Sequence, residues 1–175
     1  MKIEEIEIPN EWCEILAETQ KHDPKAIIGG GAIRDKFIGH EPKDLDLFVF
    51  SPPSIPDFGM SELGFDYEGM KYVLSVNKYS TNPLPINVIG IEKNVEVIGL
   101  LNSFDFGICQ IAFDGKRIIR TPAFDWDFKH SIMTMYHVDR YSRSIDRYCR
   151  IGRRLNLKIA IPKLDEINKK EKESF

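Results

Sequence analysis

From residue 45 the chain alternates, with apolar Leu45, Leu47 and Val49 separated by Asp46 and Phe48 and preceded by Asp44. A period of two is the mark of a strand, and it predicts an apolar side against a core and an acidic side facing a cleft. Upstream, Ala26-Ile27-Ile28 reads as a short buried strand running into Gly29-Gly30-Gly31. A helix follows from Ala32 to Ile38, and Gly39 suits the left-handed position that closes a helix. An earlier helix spans Glu11 to Glu18, with Asn10 as its cap, Trp12, Ile15, Leu16 and Gln20 on one side, and Asp23-Pro24 ending it. The prolines of residues 51–56 predict a loop, because Pro supplies no ladder donor and breaks helices. Residues 57–70 fit no single pattern.

Lys71 to Val76 and Leu84 to Ile89 read as strands, with Thr81-Asn82-Pro83 as the turn between them. Val95 to Leu101 predicts a short helix. Phe106 to Phe113 predicts a strand, joined through Asp114-Gly115 to a partner at Arg117-Ile118-Ile119-Arg120. Phe124-Asp125-Trp126-Asp127-Phe128 is read as a turn or surface edge. Strands interspersed with helices indicate a small mixed α/β domain.

Further on, Arg143, Arg147, Arg150 and Arg154 recur at helical spacing, so they share one face, with Ile145, Tyr148, Cys149, Gly152 and Leu155 largely opposite. Like charges stacked this way repel by roughly 0.2–0.5 kcal/mol per pair. Two partners would relieve the row. Phosphate oxygens suit the bidentate guanidinium; the chain's own carboxylates would make it an ordinary solvated face.

The chemistry concentrates where the glycines meet the acidic strand. Residues two apart on a strand share a face, so Asp44 and Asp46 project together. Such a pair suits Mg²⁺, which takes hard oxygen ligands and bridges to nucleotide phosphates. Gly30-Gly31-Ala32-Ile33-Arg34-Asp35 followed by Lys43-Asp44-Leu45-Asp46 resembles the head domain of the DNA-polymerase-beta-like nucleotidyltransferases, of the type found in CCA-adding enzymes and bacterial poly(A) polymerases. The resemblance covers about residues 26–159 and is dense at 28–50. It implies an α+β fold, a small mixed sheet with flanking helices.

Phe104-Asp105-Phe106-Gly107-Ile108-Cys109 is similar to that family's Arg-Arg-Asp-Phe-Thr-Ile-Asn segment, with Ser103 and Phe104 in place of the arginines. On this alignment Asp105 is the third acidic metal ligand; otherwise it is a cap or turn former. Arg147 to Ile159 is similar to the family's first neck helix. The resemblance thus implies catalytic and metal-binding roles for Asp44, Asp46 and Asp105, and nucleotide contacts from Gly30, Gly31, Arg34, Lys43, Arg147 and Arg150. It implies two Mg²⁺ ions as cofactors and transfer of a nucleoside monophosphate from an NTP to a hydroxyl, foremost an RNA 3′ end such as that of tRNA. A toxin-like modification of tRNA or protein, and a catalytically silent nucleotide- or RNA-binding module, are the rivals.

Composition narrows the setting. The 175 residues allow one ordinary domain, read as a head at 1–138, a neck-like helical segment at 139–160 and a charged tail at 161–175. A net charge of −3 gives no global attraction to nucleic acid, so any such contact is local. No run of apolar residues reaches membrane-spanning length and no secretion signal opens the chain, so a cytoplasmic protein is expected. Cys13, Cys109 and Cys149 are too scattered for a disulfide framework or zinc site and are read as buried or incidental thiols. His130 and His137 are read as ordinary polar positions.

Overall fold

The computed structural model describes residues 6–51, 58–59, 61–63, 71–81, 83–137 and 141–160. Helix α1 (Asn10–Gln20) begins directly after Pro9, whose carbonyl accepts from the amides of Trp12 and Cys13; Asn10 makes no capping bond and is the first helical residue. Trp12, Leu16 and Thr19 form its buried face. Asp23 does more than end this helix. Its Oδ2 accepts from the backbone amides of Phe50 and Ser51, tying the loop after α1 to the far end of the acidic strand.

Strand β1 (Ile27–Gly29) leads into α2 (Gly31–Phe37), and Gly39 closes that helix at φ 78° as expected. Next come β2 (Leu45–Val49), β3 (Ser61–Leu63), β4 (Val73–Tyr79), β5 (Ile86–Ile91), α3 (Val97–Asn102), β6 (Ile111–Phe113) and β7 (Ile118–Arg120). The seven strands form one mixed sheet in the order β3-β4-β5-β2-β1-β6-β7, in which β2 and β5 run parallel and the other neighbours antiparallel. The α+β class implied by the motifs is the observed one.

β2 lies at the centre of this sheet, and all five of its residues are buried. Alternation therefore marks the faces, but both are covered: opposite the core side, Phe48 packs against Phe104 with ring centroids 5.5 Å apart. Asp44, before the strand, and Asp46 and Phe48 within it line the cleft, so the acidic edge sits at the strand's start. The Asp-Gly hairpin forms between β6 and β7, with Asp114 Oδ1 accepting from the amides of Lys116 and Arg117. Of the proline-rich loop only Ser51 lies within the described residues, as do Thr81 and Pro83 of the following turn; the tail from 161 lies outside.

Two expectations are corrected. Phe106 to Phe113 is not one strand: Phe106 makes an isolated bridge to Met135, Gly107–Cys109 is a single 3-10 turn, and β6 begins only at Ile111. Residues 124–128 are not a turn or edge, for they lie inside helix α4 (Pro122–His130), started by Thr121, whose side chain accepts from the Phe124 amide. Phe124 and Phe128, one turn apart, pack edge-on against Phe37. The two corrections have one cause. Asp127 is fully buried, and its Oδ2 accepts from the amides of Ile108 and Thr134 at 2.9 Å each, pinning the 3-10 turn to β8 (Ile132–Thr134).

Burial pushes the Asp127 carboxyl above its ordinary value, so its share of stability is fullest when it is protonated and declines as pH rises through the folded value. Gly107 permits this arrangement, since a Cβ there would stand 2.6 Å from Asp127 Oδ2 and 3.0 Å from the Ala123 carbonyl. Asp127→Ala leaves two buried amides without acceptors and is expected to cost about 2–4 kcal/mol in urea unfolding. The charged neighbour Asp125, exposed and paired with Arg120, gives the contrast: its alanine variant is expected to cost under about 1 kcal/mol.

Helix α5 (Tyr141–Arg154) and strand β9 (Lys158–Ala160), parallel to β8, complete the described chain. Tyr148 stacks on Phe106 at 5.8 Å, while Gly152 and Leu155 are also buried, so the apolar side of α5 faces the domain. Burial pushes the Tyr148 hydroxyl up to about 12. Cys149 departs from the expected pattern and lines the cleft.

Candidate functional site

A cleft of about 960 Å³ opens between α2, the start of β2 and α5. Gly30, Gly31, Arg34, Lys43, Asp44, Asp46, Asp105, Arg147 and Arg150 all line it, so the fold gathers every residue singled out by the motifs. They come from segments more than a hundred positions apart, brought together by the sheet order and the docking of α5.

The glycine bend has a strict backbone requirement. Gly30 adopts φ 67° and ψ −126°, a region closed to side-chain-bearing residues, and donates its amide to the Ile111 carbonyl at 2.8 Å. A Cβ at this position would sit 3.7 Å from Phe104 and 3.8 Å from Asp46 Oδ2. The bend and the carboxylate are thus immediate neighbours. Asp46 is 8% exposed and its Oδ1 accepts from Asn87 Nδ2 at 2.8 Å; Asp44 and Lys43 are exposed at the rim.

Arg34 is buried. Its Nε and Nη2 donate to Asp35 Oδ1 at 2.8 and 2.7 Å, and Nη1 donates to Cys109 Sγ at 3.0 Å. Burial works against its charge, but Cys109 and Asp35 outweigh that and hold the guanidinium above its ordinary value. Burial likewise pushes the Cys109 thiol up, against the pull of Arg34 and Arg147. Of the three cysteines Cys109 alone is buried; Cys13 and Cys149 are half-buried.

The arginine face of α5 divides between the readings open for it. Arg147 donates to Asp105 Oδ2 at 2.6 Å and lies over the Phe106 ring; Arg154 meets Asp35 Oδ2 at 3.0 Å. These pairs bind the helix to the head. Arg150 and Arg153 are exposed in the cleft, and the Arg143 side chain lies outside the described residues. Asp105 is therefore engaged by an arginine. Among the described residues no three His, Cys, Asp or Glu side chains gather where they could hold one ion. His130 and His137 bond to the carbonyls of Trp126 and Asn102, as ordinary polar residues do.

Three contributors escaped the motif reading. Asn87 holds Asp46, and its only sequence signal is one polar residue inside the run Ile86 to Ile91. Asp35 joins Arg34 to Arg154, yet it reads as a motif neighbour. Phe104 floors the cleft in place of an arginine.

The fold that frames this cleft is shared with solved nucleotidyltransferases. Solved structures with the same fold include the Bacillus stearothermophilus CCA-adding enzyme in complex with CTP, with a TM-score of 0.63 and 19% identity over 86% of this chain and 40% of that one. A CCA-adding enzyme complexed with CTP gives 0.64 at 20% over 91% and 44%. The Thermotoga maritima enzyme complexed with tRNA gives 0.61 at 17% over 93% and 42%. The chain spans less than half the length of these proteins, and at such identity the likeness is one of fold. No curated protein matches it. By its sequence the chain belongs to the Gabija anti-defense 2 family, whose family model matches residues 5–131. Among the described residues no helix is long and apolar enough to cross a membrane.

Proposed function

We propose that this protein is a metal-dependent nucleotidyltransferase, transferring a nucleoside monophosphate from an NTP to a hydroxyl with release of pyrophosphate, and that it counters a Gabija defense through this transfer. The observation that carries the reading is the placement of Asp44 and Asp46 in one cleft beside the Gly30 bend and the exposed Arg150. The donor set fits a hard cation, because two carboxylates two residues apart offer oxygen ligands at the edge of a polar cleft. Asp44 and Asp46 would hold Mg²⁺, which when bound polarises the α-phosphate and lowers the pKa of the attacking hydroxyl.

The remaining residues bind and orient. The backbone at Gly30 and Gly31 admits the triphosphate closely, with Arg34 beneath the bend; Lys43 at the rim and Arg150 and Arg153 from α5 meet phosphate oxygens. Asp105, expected to be a third metal ligand, is assigned instead to hold Arg147 in the cleft. The hydroxyl oxygen attacks the α-phosphorus, the bond to the bridging oxygen of the β-phosphate breaks, pyrophosphate leaves and the hydroxyl proton passes to solvent. An RNA 3′ end is the acceptor suggested by the fold relatives, some of whose structures hold tRNA. The family description favours a second acceptor, a component of the Gabija system itself.

Transfer of label from α-labelled NTPs to total RNA and to Gabija components, with and without Mg²⁺, tests the proposal. Label retained by an Asp44→Asn, Asp46→Asn double variant would refute it; nucleotide binding without any transfer would make the protein a silent binding module. Arg150→Ala, which removes an exposed cation, is expected to raise KM for NTP about tenfold while leaving kcat within about twofold. Steady-state kinetics reads this directly.

A further inference from the structure

Strand β5 is apolar except at one place. Asn87 sits among Ile86, Val88, Ile89, Gly90 and Ile91, only 6% exposed. An amide so far from water is costly unless it is hydrogen-bonded. The parallel register of β2 and β5 sets Asn87 opposite Asp46, and its Nδ2 donates to Asp46 Oδ1 at 2.8 Å. Chemistry fixes which way the amide lies: turned over, its oxygen would face a carboxylate oxygen. With Oδ1 held there, Asp46 Oδ2 is the oxygen turned to the glycine bend, 3.8 Å from where a Cβ of Gly30 would stand.

We propose that Asn87 is a positioning residue, which holds the Asp46 carboxylate in the orientation that presents Oδ2 to the cation and the incoming phosphates. The inference rests on the reading of Asp44 and Asp46 as a cation-binding pair. A neutral donor accomplishes what a third carboxylate at 87 could not, because it orients Asp46 without setting a like charge beside it. The protein then supplies two carboxylates to the ion, and nucleotide phosphates supply further oxygens. Cation affinity accordingly rises when nucleotide is present.

The test uses the full chain and Mn²⁺ as probe, reading free Mn²⁺ by electron paramagnetic resonance with and without a non-hydrolysable NTP analogue, beside steady-state turnover. Asn87→Leu keeps the volume and removes the donor. It is expected to weaken Mn²⁺ binding about tenfold and lower kcat at least as far, with KM for NTP within about twofold at saturating metal. Asn87→Asp keeps the shape but cannot donate to an ionised Asp46; its kcat is expected to fall while Mn²⁺ affinity holds or increases. A folded leucine variant with wild-type Mn²⁺ binding and turnover would show that Asn87 only fills space. Should that variant fail to fold, undiminished kcat in the aspartate variant overturns the proposal by itself. If wild type binds Mn²⁺ no better than the Asp44→Asn, Asp46→Asn double variant, the cation-pair reading falls and this inference with it.

Discussion

Asp46→Asn is expected to lower nucleotidyl transfer by at least about 10³-fold, the loss of several kcal/mol of transition-state stabilisation from a misplaced cation. The substitution keeps the shape of the side chain. The new carbonyl oxygen can still accept from Asn87 Nδ2, so the sheet contact between β2 and β5 survives. What disappears is a negative charge at the floor of the cleft, beside the Gly30 bend. Unfolding free energy should change by under about 1 kcal/mol, since one buried hydrogen bond is weakened rather than removed. The pairing of collapsed kcat with an unmoved urea midpoint is the diagnostic result. Turnover within about tenfold of wild type would show that Asp46 is not part of the reaction.

Asp35→Leu is expected to have the largest effect on stability, about 3–5 kcal/mol. Asp35 is 2% exposed and serves two cations: Oδ1 takes Nε and Nη2 of Arg34, and Oδ2 takes Arg154 from α5. Its removal strands the Arg34 guanidinium, itself 4% exposed and still donating to Cys109 Sγ, and loosens α5 at its last turn. Breaking one half of a buried pair is far more costly than replacing both. Arg34→Met added to Asp35→Leu should therefore recover at least about half of the loss. A double-mutant cycle by chemical denaturation measures that coupling, and purely additive losses would contradict the buried pair as described.

Much of the fold was legible because its signals are local. The alternation at 45–49, the left-handed Gly39 and the Asp-Gly hairpin each declare themselves within a few residues, and each is found where it was expected. The reading failed where a distant group overrides local preference. Phe106 to Phe113 has the composition of a strand, but Asp127, from a helix that follows it in sequence, captures the Ile108 amide and coils the segment's first half. The same holds in the cleft. The motif spacing located the glycines and the paired aspartates, whereas Asn87 acquires its position from a parallel strand pairing that periodicity cannot foresee. The arginine spacing gave the correct face of α5 but not the division of labour along it, because Asp35 and Asp105 meet that helix only in the folded chain.

The way α5 is attached bears on the order in which the molecule assembles. A helix of 14 residues is marginal by itself in water, and this one is grasped by carboxylates from two separate parts of the head, one in α2 and one ahead of the 3-10 turn. Neither handhold exists until the sheet has brought those parts together. The wall that completes the cleft thus settles after the parts it grips, and a nascent chain gains its pocket only once α5 has left the ribosome.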